Sequence, residues 1–125
     1  MTETTPAVKA AKDCFDMKDV RAEIDRIDRA LVDLIAERFG YVDRAWQLKQ
    51  LSGDGAVVPW RIQQVIDRVK VRAEEKQVSS ALIEALWRQM IGWFIQYEEE
   101  RLRQHLDAGG GEAMGDGGEG DGGKA

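Results

Sequence analysis

One apolar stripe of unusual length constrains this chain more than any other feature. Between residues 18 and 51, apolar side chains recur at Val20, Ile24, Ile27, Leu31, Leu34, Val42 and Ala45, in steps of three and four along most of the run. That spacing lines one face of an α-helix. The one interruption, Gly40, costs about 1 kcal/mol against alanine and need not break the helix. A helix over 18–51 is roughly 50 Å long, far longer than a small globular domain requires. A rod striped from end to end must bury its face on something outside its own compact domain, and the simplest candidate is a second copy of the chain.

The rest of the chain leaves little with which to cover that face. Nine of the 13 glycines lie between Gly109 and Gly123, so residues 108–125 form a Gly/Asp/Glu tail that buries no apolar surface and is expected to be disordered. Residues 1–16 show little hydrophobic pattern and read as a flexible arm. The folding unit is then 17–107, about 91 residues, for which a single core is thin. Two breaks punctuate it, Ser52-Gly53-Asp54-Gly55 and a softer one at Lys76-Gln77-Val78-Ser79-Ser80. A second helix over 59–76 opens on Pro59, a favoured first helical position, and buries Ile62, Val65, Ile66 and Val69. A third, over 80–106, carries two apolar seams, one through Leu82, Leu86, Met90, Trp93 and Tyr97, the other through Trp87, Ile91, Phe94 and Leu102. Nothing alternates with period two for long enough to be a strand, so the fold class is all-α with three helices, the first very long, in an intertwined homodimer.

Charge and composition exclude several functions. The net charge of −5 is mostly tail, because the body holds 15 basic and 16 acidic groups. A nearly neutral body without a basic block argues against nucleic-acid binding. No apolar run is long enough to span a membrane, and the N-terminus lacks the apolar segment of a secretory signal. A lone Cys14 forms no internal disulfide and no cysteine zinc site, which fits a reducing cytoplasm. Gly53-Asp54-Gly55 has no Gly-Lys-Ser/Thr behind it and is no phosphate loop. Glu98, Glu99 and Glu100 are consecutive, and a helix splays them rather than converging them on a metal. His105 sits among charges at a helix end, where surface and dipole roles are commoner than catalysis. Trp46, Trp60, Trp87 and Trp93 read as buried anchors.

The chemistry lies where the pattern asks for apolar residues and finds charged ones. Continued by its own rule, the first stripe reaches positions 38 and 49, which are Arg38 and Lys49. At about 100° per residue the two point from one face, about 16 Å apart. Buried cations are costly unless an anion meets them; the plain alternative is that they reach the edge or pair with acids of another helix. The second seam of the third helix carries Glu98 in the same way. Either Glu98 forms a buried salt bridge with Lys49 or Arg38 that fixes register, or burial raises its pKa so that it stays protonated and donates a hydrogen bond to an ether or hydroxyl oxygen. Arg21, 17 residues before Arg38, points elsewhere in one straight helix. In an antiparallel pair of long helices, however, it falls beside Arg38 and Lys49 of the other chain; on its own it is an ordinary surface charge.

Arg, Arg and Lys at these spacings, on a very long first of three helices, resemble the all-helical chorismate mutase family and its relative, isochorismate pyruvate lyase. The strings Val20-Arg21-Ala22-Glu23-Ile24-Asp25-Arg26-Ile27-Asp28 and Leu31-Val32-Asp33-Leu34-Ile35-Ala36-Glu37-Arg38 resemble that family's opening signature. The resemblance implies that Arg21 crosses the dimer to bind a substrate carboxylate, and that Arg38 binds the second one. It also implies that Lys49 contacts the ether oxygen and a carboxylate, that Arg61 opens the second helix into the site, and that Glu98 stands where a Gln or Glu bonds the ether oxygen. Val58 and Ile62 occupy positions where bacterial mutases usually carry carboxylates for the ring hydroxyl. That departure, with the leader Asp13-Cys14 and the run Gly92-Trp93-Phe94-Ile95, resembles the lyase.

The activity this implies is chorismate mutase, a cofactor-free and metal-free rearrangement of chorismate to prephenate in aromatic amino-acid biosynthesis. Its substrate is a small dicarboxylate. The alternatives are isochorismate pyruvate lyase, a mutase acting on the 4-amino analogue of chorismate, and a non-catalytic helical dimerisation module. The residue inventory suits a reaction that needs positioning and charge stabilisation rather than a nucleophile.

Overall fold

The structure, a computed structural model, describes residues 7–52 and 58–113, the side chains of residues 52 and 107–113 excepted. The described residues hold a 3-10 turn at Ala11–Asp13 and three α-helices, α1 (Met17–Ser52), α2 (Pro59–Glu75) and α3 (Ser80–Ala113), with no strand. These are the three expected elements. α3 continues past the expected end at 106, and the Gly53-Asp54-Gly55 break, residues 1–6 and residues 114–125 lie outside the described residues. No helix among the described residues is long and apolar enough to cross a membrane.

The chain divides into two compact units, Met1–Tyr41 and Val42–Ala125. In the first, Asp16 caps α1: its carboxylate accepts from the Asp19 backbone N–H at 2.9 Å, satisfying one of the free donors of a helix start. The arm before it is tied down by charge rather than by apolar packing. The Lys9 ammonium meets Asp19 at 3.0 Å, and the Lys9 backbone N–H donates to Glu23 at 3.1 Å. Hydrogen bonding to Lys9 holds the Asp19 carboxyl below its ordinary range. The stripe of this unit is left open: Ile24, Ile27, Leu31 and Leu34 are 50%, 45%, 51% and 60% exposed.

In the second unit α2 and α3 form an antiparallel-type helical pair joined by a tight turn. α2 starts on Pro59 behind Val58, whose carbonyl accepts from the N–H groups of Arg61 and Ile62 at 3.0 and 3.2 Å. It ends in a Schellman arrangement: the Val78 N–H returns to the Ala73 carbonyl at 2.9 Å and the Gln77 N–H to that of Glu74 at 3.1 Å. This turn requires Gln77 to take φ 60°, the left-handed region that glycine favours. Ser79 then caps α3, its hydroxyl accepting from the Leu82 N–H at 3.1 Å. Among the described residues Ile66 and Ala73 of α2, Phe94 of α3 and Trp46 of α1 are the buried apolar ones, Ile66 completely so. Lys70 and Glu84 join α2 to α3 at 3.1 Å.

Of the four expected tryptophan anchors only Trp46 is buried; Trp87 is half-buried, and Trp60 and Trp93 are largely exposed. Trp60 is the second residue of α2 and lies on its solvent side. Trp93 belongs to the seam of α3 that also leaves Leu82 and Leu86 exposed, and spends its ring against its own helix, edge-on to Phe94 and stacked on Tyr97.

Candidate active site

The second unit brings together Lys49 and Glu98. Lys49 lies in the last turn of α1 and Glu98 on the inward seam of α3, one turn after Phe94. The Lys49 ammonium stands 3.7 Å from the Glu98 carboxylate, an ion-pair separation rather than a hydrogen bond. Glu98 is the one buried charged residue among those described, at 6% exposure. Burial pushes its carboxyl above the ordinary carboxylate range, and the neighbouring Lys49 charge only partly reverses that. Of the two readings of Glu98 that the sequence leaves open, the pairing with Lys49 is present, and burial opposes it by favouring the neutral carboxyl.

Around this pair the cross-helix contacts are aromatic and polar. The Tyr97 hydroxyl donates to Asp43 at 2.9 Å, and burial together with that acceptor raises the phenol's pKa, so it remains a donor. The Arg101 guanidinium lies 5.2 Å from the Trp46 ring centre, and His105 meets the same indole edge-on at 6.1 Å. The Trp46 indole N–H and the Gln50 amide N–H₂ are buried with no acceptor among the described residues. Asp43, Gln50 and Arg101 escaped the sequence reading. A buried phenol always needs a partner, so a search for acceptors on α1 opposite Tyr97 is the signal that would have found Asp43.

Val58 is the residue before α2, Ile62 is half-buried one turn into it, and Arg61 is exposed, its guanidinium donating to Gln64 at 2.7 Å. Arg21 and Arg38 belong to the first unit, Arg38 half-buried and Arg21 exposed. No hydrogen bond or ion pair to Arg21 is found among the described residues.

A buried carboxyl whose pKa is raised, opposed by an ammonium, can when protonated donate to an ether oxygen while the cation stabilises charge that grows there. Comparison with known proteins identifies the family. Residues 20–99 match the family described as chorismate mutase type II. The chain is similar to an isochorismate pyruvate lyase of Pseudomonas aeruginosa, 31% identical over 98 residues that cover 78% of this chain and 95% of the lyase. It is also similar to a T-protein of Haemophilus influenzae, 32% identical over 75 residues, 60% of this chain but 20% of that protein. No solved structure matches the chain significantly.

Proposed function

The chain belongs to the chorismate mutase type II family, and on that premise we propose that it catalyses the rearrangement of chorismate to prephenate without a cofactor, as a homodimer. The observation that carries this reading is the buried Glu98 carboxyl held 3.7 Å from Lys49. In the rearrangement the ether C–O bond breaks as a C–C bond forms within one molecule, so no nucleophile or external base takes part. What the protein supplies is a folded substrate pose and groups aimed at the ether oxygen. Protonated Glu98 donates to that oxygen and Lys49 stabilises its growing negative charge. Arg38 and Arg61 bind carboxylate, and Arg21 reaches the site from the second chain, in keeping with the absence of a hydrogen bond or ion pair to it among the described residues. Val58 and Ile62 line the ring.

A second reading, isochorismate pyruvate lyase, is favoured by a specific observation. Apolar Val58 and Ile62 offer no acceptor to the ring hydroxyl that distinguishes chorismate, and the lyase relative is matched over nearly its whole length. Both reactions use a compact pose of an enolpyruvyl ether, so residue types alone separate them poorly.

Incubating the full-length protein with chorismate and isochorismate in separate reactions decides between them. Prephenate from the first supports the mutase, and salicylate plus pyruvate from the second supports the lyase. Turnover of neither sinks both and leaves a helical dimerisation module. Lys49→Ala is expected to lower kcat/KM by about 10²- to 10⁴-fold with the unfolding midpoint nearly unchanged, because a protonated Glu98 leaves no uncompensated buried charge when its cation is removed.

A further inference from the structure

Two cross-helix contacts in the second unit involve adjacent residues of α3. Glu98 faces Lys49 at 3.7 Å, and Tyr97 donates to Asp43 at 2.9 Å. Neighbouring residues on a helix project about 100° apart. A single contact from α3 to α1 would leave the roll of α3 to its packing on α2; two contacts that diverge by this angle fix it against α1 as well. Asp43 and Lys49 are six residues, about 9 Å, apart on α1, so one level of α3 is gripped from two well-separated points on α1. The tighter of the two contacts is the one with no part in the chemistry. At 2.9 Å to a carboxylate the phenol makes a charge-assisted hydrogen bond, whereas Lys49 and Glu98 are at ion-pair distance only.

The Tyr97 ring is itself held. Trp93, one turn earlier, stacks on it with centroids 5.7 Å apart and planes 10° from parallel, and the Arg101 guanidinium lies 6.0 Å from its centre. Its hydroxyl is therefore presented to Asp43 from an immobilised ring. From this arrangement we infer that Tyr97 and Asp43 are a positioning pair, whose hydrogen bond sets the roll of α3 and so keeps the Glu98 carboxyl buried and turned toward Lys49. The inference rests on the proposed role of Glu98 and adds the residues through which that role is maintained. It separates two parts of one face: Lys49 and Glu98 for the reacting oxygen, Asp43 and Tyr97 to hold them.

Tyr97→Phe tests this, since it keeps the ring and its stack and removes only the donor. With whichever of chorismate or isochorismate the wild type consumes, kcat is expected to fall about tenfold and KM to stay within about twofold, measured well below the unfolding transition. Asp43→Ala should lose as much. Asp43→Asn, which keeps an oxygen to accept the phenol proton, should restore most of the rate. An unchanged kcat in Tyr97→Phe, or equal losses in Asp43→Ala and Asp43→Asn, overturns the pairing.

A second readout needs no turnover and keeps this inference separable from the functional reading. Lys49 of α1 is the charged group that acts on Glu98, and none from α2 or elsewhere on α3 does so among the described residues. A carbon-detected NMR titration of the Glu98 carboxyl should find its elevated pKa moving down toward the ordinary carboxylate range in Tyr97→Phe and Asp43→Ala, as the carboxyl is released to solvent. A wild type that turns over neither substrate ends the functional reading alone. A Glu98 titration that does not move in either variant ends the positioning pair alone.

Discussion

The two stretches of α1 carry the same kind of apolar stripe and are covered very differently. In the second unit the stripe residues Val42 and Ala45 are half-buried and Trp46, beside them, is 8% exposed, because that unit also contains α2 and α3. In the first unit Ile24, Ile27, Leu31 and Leu34 remain about half exposed, because the arm described beside them binds through Lys9 to acids next to the stripe rather than over it. Helical periodicity thus decides which side chains share a face, while burial depends on what else the chain can bring against that face. Four large aliphatic side chains at helical spacing, left open, form a patch of the sort that marks an interaction surface. In the proposed homodimer the second copy covers it and delivers its Arg21 in the same movement.

The largest effect should come from charging that open stripe. Leu31→Asp leaves the second unit untouched, yet should convert the dimer to a monomer in sedimentation and lower kcat/KM by more than about a hundredfold, since each site would lose its borrowed Arg21. A Leu31→Asp protein that stays dimeric and active would break the contrast between the two stretches. Ile66→Ala probes the opposite pole. Ile66 is fully buried within the second unit, so its truncation should cost about 2–5 kcal/mol in chemical denaturation. Leu31→Ala should instead show a midpoint shift that depends on protein concentration, as expected when a side chain acts between chains.

The acid–base contrast is of intermediate size and concerns Glu98 against the acids of the arm. Asp19 and Glu23 titrate below their ordinary values because each accepts hydrogen bonds from cations or backbone, and neither is buried. Glu98 titrates above its ordinary value because it is buried. The signs therefore oppose. With its folded pKa raised, Glu98 retains a proton that the unfolded chain has lost, so its effect on stability worsens as pH rises through the interval between the two pKa values and is complete above the folded one. The donor proton needed for activity disappears over that same upper range. The rate should fall as pH rises through the raised pKa, and Glu98→Gln should flatten the profile, because an amide donates at every pH. A profile that Glu98→Gln leaves unaltered would remove Glu98 from the donor role.

How much of this the sequence discloses depends on the range of the interaction. The three helices are legible because periodicity and caps are local: Pro59 marks the start of α2, and α1 and α3 begin within a residue or so of their expected positions. Glu98 and Lys49 are legible as misfits in apolar seams, since a charge in such a seam must meet something. Their order of dominance is not, because desolvation and attraction oppose each other and only the distance and burial decide. Tyr97 and Asp43 are separated by 54 residues, and neither violates a pattern on its own helix. The exposure of Trp60 and Trp93 runs against residue type for a related reason. A tryptophan's preference for burial is overridden when the only face its helix can cover is already used by others.

The turn between α2 and α3 supplies the smallest and most local of these tests. Gln77 takes φ 60° so that the chain can reverse while its N–H and that of Val78 satisfy carbonyls of the last turn of α2. A side chain in that region is strained by about 1–2 kcal/mol, because its Cβ crowds the following carbonyl. Glycine removes the strain but gives the unfolded chain more freedom, so the two effects partly cancel. Gln77→Gly should therefore stabilise the protein by about 0.5–1 kcal/mol, a rise of a few degrees in midpoint for a domain of this size. The turn lies inside the second unit, among contacts that one chain makes with itself. The gain should accordingly be the same at every protein concentration, with kcat and KM unmoved. A gain that appeared only at high concentration would mean that the second unit, too, depends on a partner chain.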